Sequence, residues 1–142
     1  MLKKLFLTGS IFLIALLGLA QSSHDVMIGG GVDLLKTDNR ALFKKAQLGL
    51  EAHYFVVRHF AVGVGTELWT ANQKSSFMMG ARWYANDNVF LRFRGLIGAN
   101  DAAMGLGYSK AISQNFRLEG MGDFYFGAGN FGLRFGASYI LR

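Results

Sequence analysis

From residue 25 to the C-terminus, apolar and polar positions alternate one for one, without the 3.6-residue rhythm of a helix. The clearest run is FGLRFGASYILR at 131–142. Phe131, Leu133, Phe135, Ala137, Tyr139 and Leu141 share one face, and Gly132, Arg134, Gly136, Ser138, Ile140 and Arg142 share the other. Strands of globular proteins mostly run to about five or six residues, whereas about ten alternating residues cross a bilayer at a tilt.

Seven earlier segments repeat the pattern. Near 25–35, Val26, Ile28, Val32 and Leu34 oppose Asp33; over 45–55, Ala46, Leu48, Leu50, Ala52 and Tyr54 oppose Lys45, Gln47, Glu51 and His53. Over 60–69, Phe60, Val62, Val64 and Leu68 oppose Ala61, Gly63, Gly65 and Glu67; over 76–84, Phe77, Met79, Ala81 and Trp83 oppose Gly80 and Arg82. The stretch NVFLRFRGLIG (88–98) sets Val89, Leu91, Phe93 and Ile97 against Arg92 and Arg94. Over 103–111, Met104, Leu106 and Tyr108 oppose Gly105, Gly107 and Ser109; over 116–124, Phe116, Leu118 and Phe124 oppose Arg117, Glu119 and Asp123. Tight turns are expected at 57–59, 85–88 and 113–115, and somewhat longer connections at 36–44, 70–75, 98–102 and 125–130. The pattern predicts an all-β fold, an eight-stranded antiparallel up-and-down β-barrel.

Alternation does not say which face is inside. A soluble barrel buries the apolar set, and a transmembrane barrel buries the polar one. The apolar face carries almost no charge on any strand. The charged face is rich in glycine (Gly31, Gly49, Gly63, Gly65, Gly80, Gly105, Gly107 and Gly136), which makes room for large side chains inside a narrow barrel. Aromatic residues sit at strand ends, with Tyr54, Phe60, Trp83, Phe116 and Tyr139 by the short turns and Phe77, Phe124 and Phe131 by the longer loops. Two such rows match the interfacial girdles of a membrane barrel. The transmembrane reading is favoured, and a soluble periplasmic ligand-binding barrel is the third choice, behind a channel variant described below.

The N-terminus MLKKLFLTGSIFLIALLGLA has a basic n-region at Lys3 and Lys4, an apolar run from Leu5 to Leu19, and small residues at Gly18 and Ala20. It reads as a cleaved signal peptide over 1–20, leaving 21–142 as one barrel domain. Export and the absence of cysteine exclude thiol chemistry and a disulfide scaffold. The net charge of +6, part of it on the leader, does not call for a nucleic-acid partner. With 19 glycines and no proline in 142 residues, the composition argues against helices, in which each interior glycine costs about 1 kcal/mol.

YFVVRHFAVGVG (54–65), GARWYANDNVFLRFRGLIG (80–98) and the closing LRFGASYIL resemble the small outer-membrane β-barrel proteins of the OmpX and OmpA-transmembrane type. The likeness spans essentially the whole mature chain. It implies residence in the outer membrane of a Gram-negative bacterium, contact with outer-membrane lipid and lipopolysaccharide, and handling by the outer-membrane assembly machinery. These relatives commonly end on an aromatic residue, whereas this chain ends Leu141-Arg142.

The candidate chemistry is the lumen set: Asp33, Lys45, Glu51, Glu67, Arg82, Arg92, Arg94, Arg117, Glu119, Asp123 and Arg134. Buried charges must be paired, so a salt-bridge network filling the barrel is the expectation. A narrow path for ions or small solutes lined by Arg92 and Arg94 is the runner-up. His53 shares a face with Glu51 near the turn-side rim, yet no nucleophile arrangement and no metal-ligand spacing accompanies it. No enzyme activity and no cofactor are therefore expected. Lys36, Arg40, Lys44, Lys45 and Lys74 cluster at the first two longer loops, where cations at a membrane rim favour anionic head groups.

Overall fold

The computed structural model describes residues 23–36, 47–69 and 75–142. Residues 1–20, expected to be a leader, and the basic cluster Arg40, Lys44, Lys45 and Lys74 lie outside the described residues, as does the Lys36 side chain. Eight strands follow in order: β1 (Val26–Lys36), β2 (Gln47–Val57), β3 (Phe60–Trp69), β4 (Ser76–Tyr84), β5 (Val89–Ile97), β6 (Asp101–Ala111), β7 (Phe116–Tyr125) and β8 (Asn130–Leu141). Each pairs antiparallel with its sequence neighbours, and β1 pairs with β8 to close the barrel, so the sheet has no free edge. Closure is what allows such a sheet to stand in hydrocarbon, where unpaired backbone groups find no partner.

Following cross-strand pairs around the wall, Met27 leads through His53, Gly63, Gly80, Arg94, Ala103 and Tyr125 to Asn130. The circuit returns to β1 with a stagger of about ten residues, the offset that tilts the strands and sets the bore of an eight-stranded barrel. Single-residue bulges at Leu34 and Val56 absorb local mismatch.

The connections follow local chemistry. In the β4–β5 turn, Asn86 Oδ1 accepts from the backbone N–H groups of Asn88 (2.9 Å) and Val89 (2.7 Å). In the β6–β7 turn, Ser113 Oγ accepts from Phe116 N at 3.1 Å. At the other end of the barrel, Gly98 (φ +106°) and Gly129 (φ +63°) take the left-handed backbone that turns the chain into β6 and β8. These two loops are shorter than the sequence suggests, because Asp101 and Ala102 already belong to β6, Tyr125 to β7 and Asn130 to β8. Val57, expected in a turn, closes β2, which leaves only 58–59 to connect β2 with β3.

The interior is the charged face. Asp33, Glu67, Arg92 and Arg134 are fully buried, while Ile28, Leu50, Val64, Met79, Phe93, Leu106, Leu118 and Phe135, one from each strand, stand about half exposed on the outer wall. This polarity is the reverse of a water-soluble barrel and matches a wall facing lipid. The register explains the glycines. His53 faces Gly63, Arg94 faces Gly80, Phe90 faces Gly107, Asp123 faces Gly105, and Glu119 faces Gly136. Large and small residues thus alternate across the bore, and a side chain at Gly105 would collide with the Asp123 carboxylate.

Candidate functional site: the lumen and its ion-pair network

Glu51 on β2 sits at the hub. One of its oxygens accepts from Arg82 Nη2 (2.9 Å), and the other accepts from Arg92 Nη1 (3.2 Å) and Arg134 Nη1 (3.1 Å). Arg82 also forks onto Glu119 at 3.0 and 2.9 Å. Arg92 pairs side-on with Asp123, its Nε 2.8 Å from Oδ1 and its Nη2 on Oδ2. Arg94 joins Asp123 (2.9 Å) to Glu67, and Arg134 joins Glu67 (2.6 Å) to Asp33. Tyr125 completes a bridge, its hydroxyl accepting from Arg94 at 2.8 Å and donating to Asp33 at 2.8 Å. Gln47 donates to Glu67, and Ser138 donates to Glu119 at 3.0 Å.

Nine of the residues expected in the lumen therefore form one continuous hydrogen-bonded ion-pair network: Asp33, Glu51, Glu67, Arg82, Arg92, Arg94, Glu119, Asp123 and Arg134. Arg117 is set apart. Its guanidinium holds Ser109 Oγ (2.7 Å), Ser109 O (3.0 Å) and the backbone carbonyl of Asp87, tying the β4–β5 turn to the barrel mouth. Ser109 in turn donates to Glu119 at 3.3 Å, linking Arg117 to the network through a hydroxyl. Every buried Lys or Arg among the described residues is an arginine. A planar fork with five donors satisfies two or three carboxylates at once, which a lysine ammonium does less well in a fixed geometry.

The bore has three tiers. Toward the tight turns lies an apolar cluster of Met27, Phe55, Ala61, Tyr84, Phe90, Met121 and Ile140. Its rings pack in sequence, Phe55 on Tyr84 at 5.7 Å and Tyr84 on Phe90 at 5.2 Å, and Arg82 lies over Phe90 at 4.8 Å. The network occupies the middle. Toward the loops, Met78, Leu96, Ala103 and Tyr125 form a second apolar cluster, with Arg94 over the Tyr125 ring at 5.5 Å. Of these residues the alternation places only Ala61 and Ile140 on the charged face, because that face is recognised by its charges. Parity alone identifies the others: Phe90 shares its face with Arg92, Tyr125 with Asp123, and Met78 with Arg82.

His53 lies inside the bore, not at its rim, with Nε2 3.8 Å from Glu51. Among the described residues, no group of three His, Cys, Asp or Glu side chains could hold a metal ion. On the outer wall, Phe60 pairs with Trp83 and Phe116 with Tyr139 near the turns, beside Tyr54; Phe124 pairs with Phe131 near the loops, and Phe77 stands at that same end. All eight point outward.

No family model and no curated protein matches the sequence. Among solved structures, the chain is similar to one described as "De novo design of transmembrane beta-barrels", with 17% identity and a TM-score of 0.67 over 87% of this chain and 100% of that one. A looser likeness, to a KdgM porin, has 9% identity and a TM-score of 0.37 over 83% of this chain and 99% of that one. By its closed eight-stranded sheet, its buried charges and its apolar outer wall, the chain has the fold of a transmembrane β-barrel.

Proposed function

We propose that the chain is an integral outer-membrane β-barrel protein of the OmpX-like type whose lumen is filled, and that its role at the cell envelope is structural or interactive, not conductive or enzymatic. The observation that carries this reading is the hub at Glu51, whose carboxylate binds Arg82, Arg92 and Arg134 from three other strands and so bars the bore. Apolar clusters on both sides of the network add two further barriers. Six buried carboxylates, Asp25 and the five of the network, face five buried arginines, so the interior is close to neutral and offers no strong field to draw ions through.

On this reading residues 1–20 direct export and are removed, and 21–142 insert with help from the assembly machinery. The basic cluster Lys36, Arg40, Lys44, Lys45 and Lys74 then meets the phosphates of lipopolysaccharide. Planar-bilayer recording tests the filled lumen. The wild-type protein is expected to give no reproducible single-channel steps, whereas steps that change in Arg92→Ala or Arg94→Ala would establish the ion path instead.

A further inference from the structure

The outer wall is not uniformly convex. An apolar groove of about 860 Å³ crosses it diagonally from Val26 and Tyr54 at the turn end to Ala102 and Phe126 at the loop end. It runs between two cross-strand rows. One is Val26–Tyr54–Val62–Ala81–Phe93, and the other is Ala52–Val64–Met79–Gly95–Ala102. Small residues at Ala52, Ala81, Gly95 and Ala102 deepen it, and Met79 and Phe93 stand beside them about half exposed. Five strand-to-strand steps make it roughly 24 Å long.

We infer that this groove seats one acyl chain of a glycerophospholipid whose head group lies at the turn end of the barrel. The inference rests on the transmembrane reading, under which the wall faces hydrocarbon. A second barrel of the same kind is convex and cannot fill a narrow diagonal channel, whereas a flexible hydrocarbon chain can. The two mouths differ in charge. At the turn end, Tyr54 lies at the mouth with the His24 ring edge-on to it at 6.1 Å, and the adjoining β2–β3 turn carries Arg58. At the loop end, Asp101 sits beside Ala102 and Phe126, its Oδ1 accepting from Ala102 N (2.7 Å) and Gly127 N (2.6 Å). Arg58 offers a phosphodiester a cation near the first mouth, where Asp25, next to Val26, is buried away from the wall, and Asp101 sets a carboxylate beside the second.

Gly95 provides the variant that tests the seat. A Cβ there meets only Met79 O at 3.8 Å, so Gly95→Leu fills the groove floor without displacing the backbone or touching the lumen. The full chain is placed in phosphatidylglycerol vesicles containing a small fraction of lipid with a photoreactive acyl chain, irradiated, and its adducts are mapped by mass spectrometry. Adducts on Met79 and Phe93 are expected to exceed those on Leu118 and Phe135, equally exposed on the far wall, by about threefold, and Gly95→Leu should remove the excess. Equal labelling around the barrel overturns the seat and leaves the membrane reading intact. Fewer adducts on Met79 and Phe93 than on Leu118 and Phe135 would show lipid excluded from the groove and assign it to contact between copies of the chain instead. No adduct anywhere on the outer wall would defeat the transmembrane reading itself. The head-group end is read separately: Arg58→Gln should weaken the excess, and an unchanged pattern refutes the assigned orientation.

Discussion

Arg82 on β4 and Arg92 on β5 are direct cross-strand partners, like charges facing each other inside the bore. Opposed arginines repel, and the arrangement persists because each donates to Glu51 and each has a further carboxylate of its own, Glu119 for Arg82 and Asp123 for Arg92. Glu51→Gln keeps the shape but removes the shared negative charge, leaving Arg82, Arg92 and Arg134 mutually repelling. A loss of about 3–5 kcal/mol is expected, as when one member of a buried charge set is removed. Urea unfolding in lipid vesicles measures it. A change under about 0.5 kcal/mol, typical of a surface substitution, would show that Glu51 does not hold the network together.

The arginines differ from lysines in what they reach. Arg92 uses Nε and Nη2 on Asp123 and Nη1 on Glu51, three bonds that a single ammonium cannot reproduce in that plane. Arg92→Lys keeps the charge and is expected to cost about 1–3 kcal/mol through the unmade hydrogen bonds. The same urea series reads this out, and an Arg92→Lys protein as stable as wild type would mean that charge alone fills the lumen.

Two outward- and inward-facing glycines separate packing from backbone preference. A methyl group at Gly105 collides with the Asp123 carboxylate and lies 2.6 Å from Gly122 O, whereas one at Gly95 meets only Met79 O, at an ordinary 3.8 Å. Gly105→Ala should cost about 1–3 kcal/mol by overpacking, and Gly95→Ala should be neutral within about 0.5 kcal/mol. Matched urea midpoints for the two variants would contradict the large–small alternation across the bore.

The faces of the wall were legible strand by strand because parity is a local property. Leu50 and Glu51, or Phe93 and Arg94, can be assigned to opposite sides from their neighbours alone. What the sequence did not disclose is which charges meet. Glu51 lies 83 positions from Arg134 and 31 from Arg82, and their contact depends on the stagger and closure of the whole barrel. The apolar tiers were hidden for a different reason. Met78, Phe90 and Tyr125 share parity with the charges, so a lumen identified by charge leaves them unassigned even though they pack across it. Arg117 shows the same limit: its face was readable, but its attachment to Ser109 and the Asp87 carbonyl depends on how the β4–β5 turn folds over the mouth.

The turn-end tier makes its own prediction. Phe90 is fully buried, stacked between Tyr84 and the Arg82 guanidinium, with its ring laid over Gly107. Phe90→Ala removes that ring and leaves a cavity that the small Gly107 cannot fill. A loss of about 3–5 kcal/mol is expected in vesicle unfolding, with the folded barrel retained. A neutral result would mean that the tier is loosely filled and the network alone blocks the bore.

Leu106 stands midway along β6, 57% exposed, facing outward between Gly105 and Gly107, which face the lumen. In a bilayer, Leu106→Arg places a guanidinium near the midplane and should destabilise the barrel by about 2–4 kcal/mol, while the same change near a strand end costs about 0–1 kcal/mol. Tyr108→Arg, two residues nearer the turn end, gives the intermediate point, and Lys110 is already a natural cation one step further along. Unfolding free energies for arginine at 104, 106 and 108 therefore trace depth directly. A penalty that peaks at mid-strand follows from a wall immersed in hydrocarbon. A flat profile near zero across all three positions is what a water-facing wall would give, and it would overturn the assignment of this face to lipid.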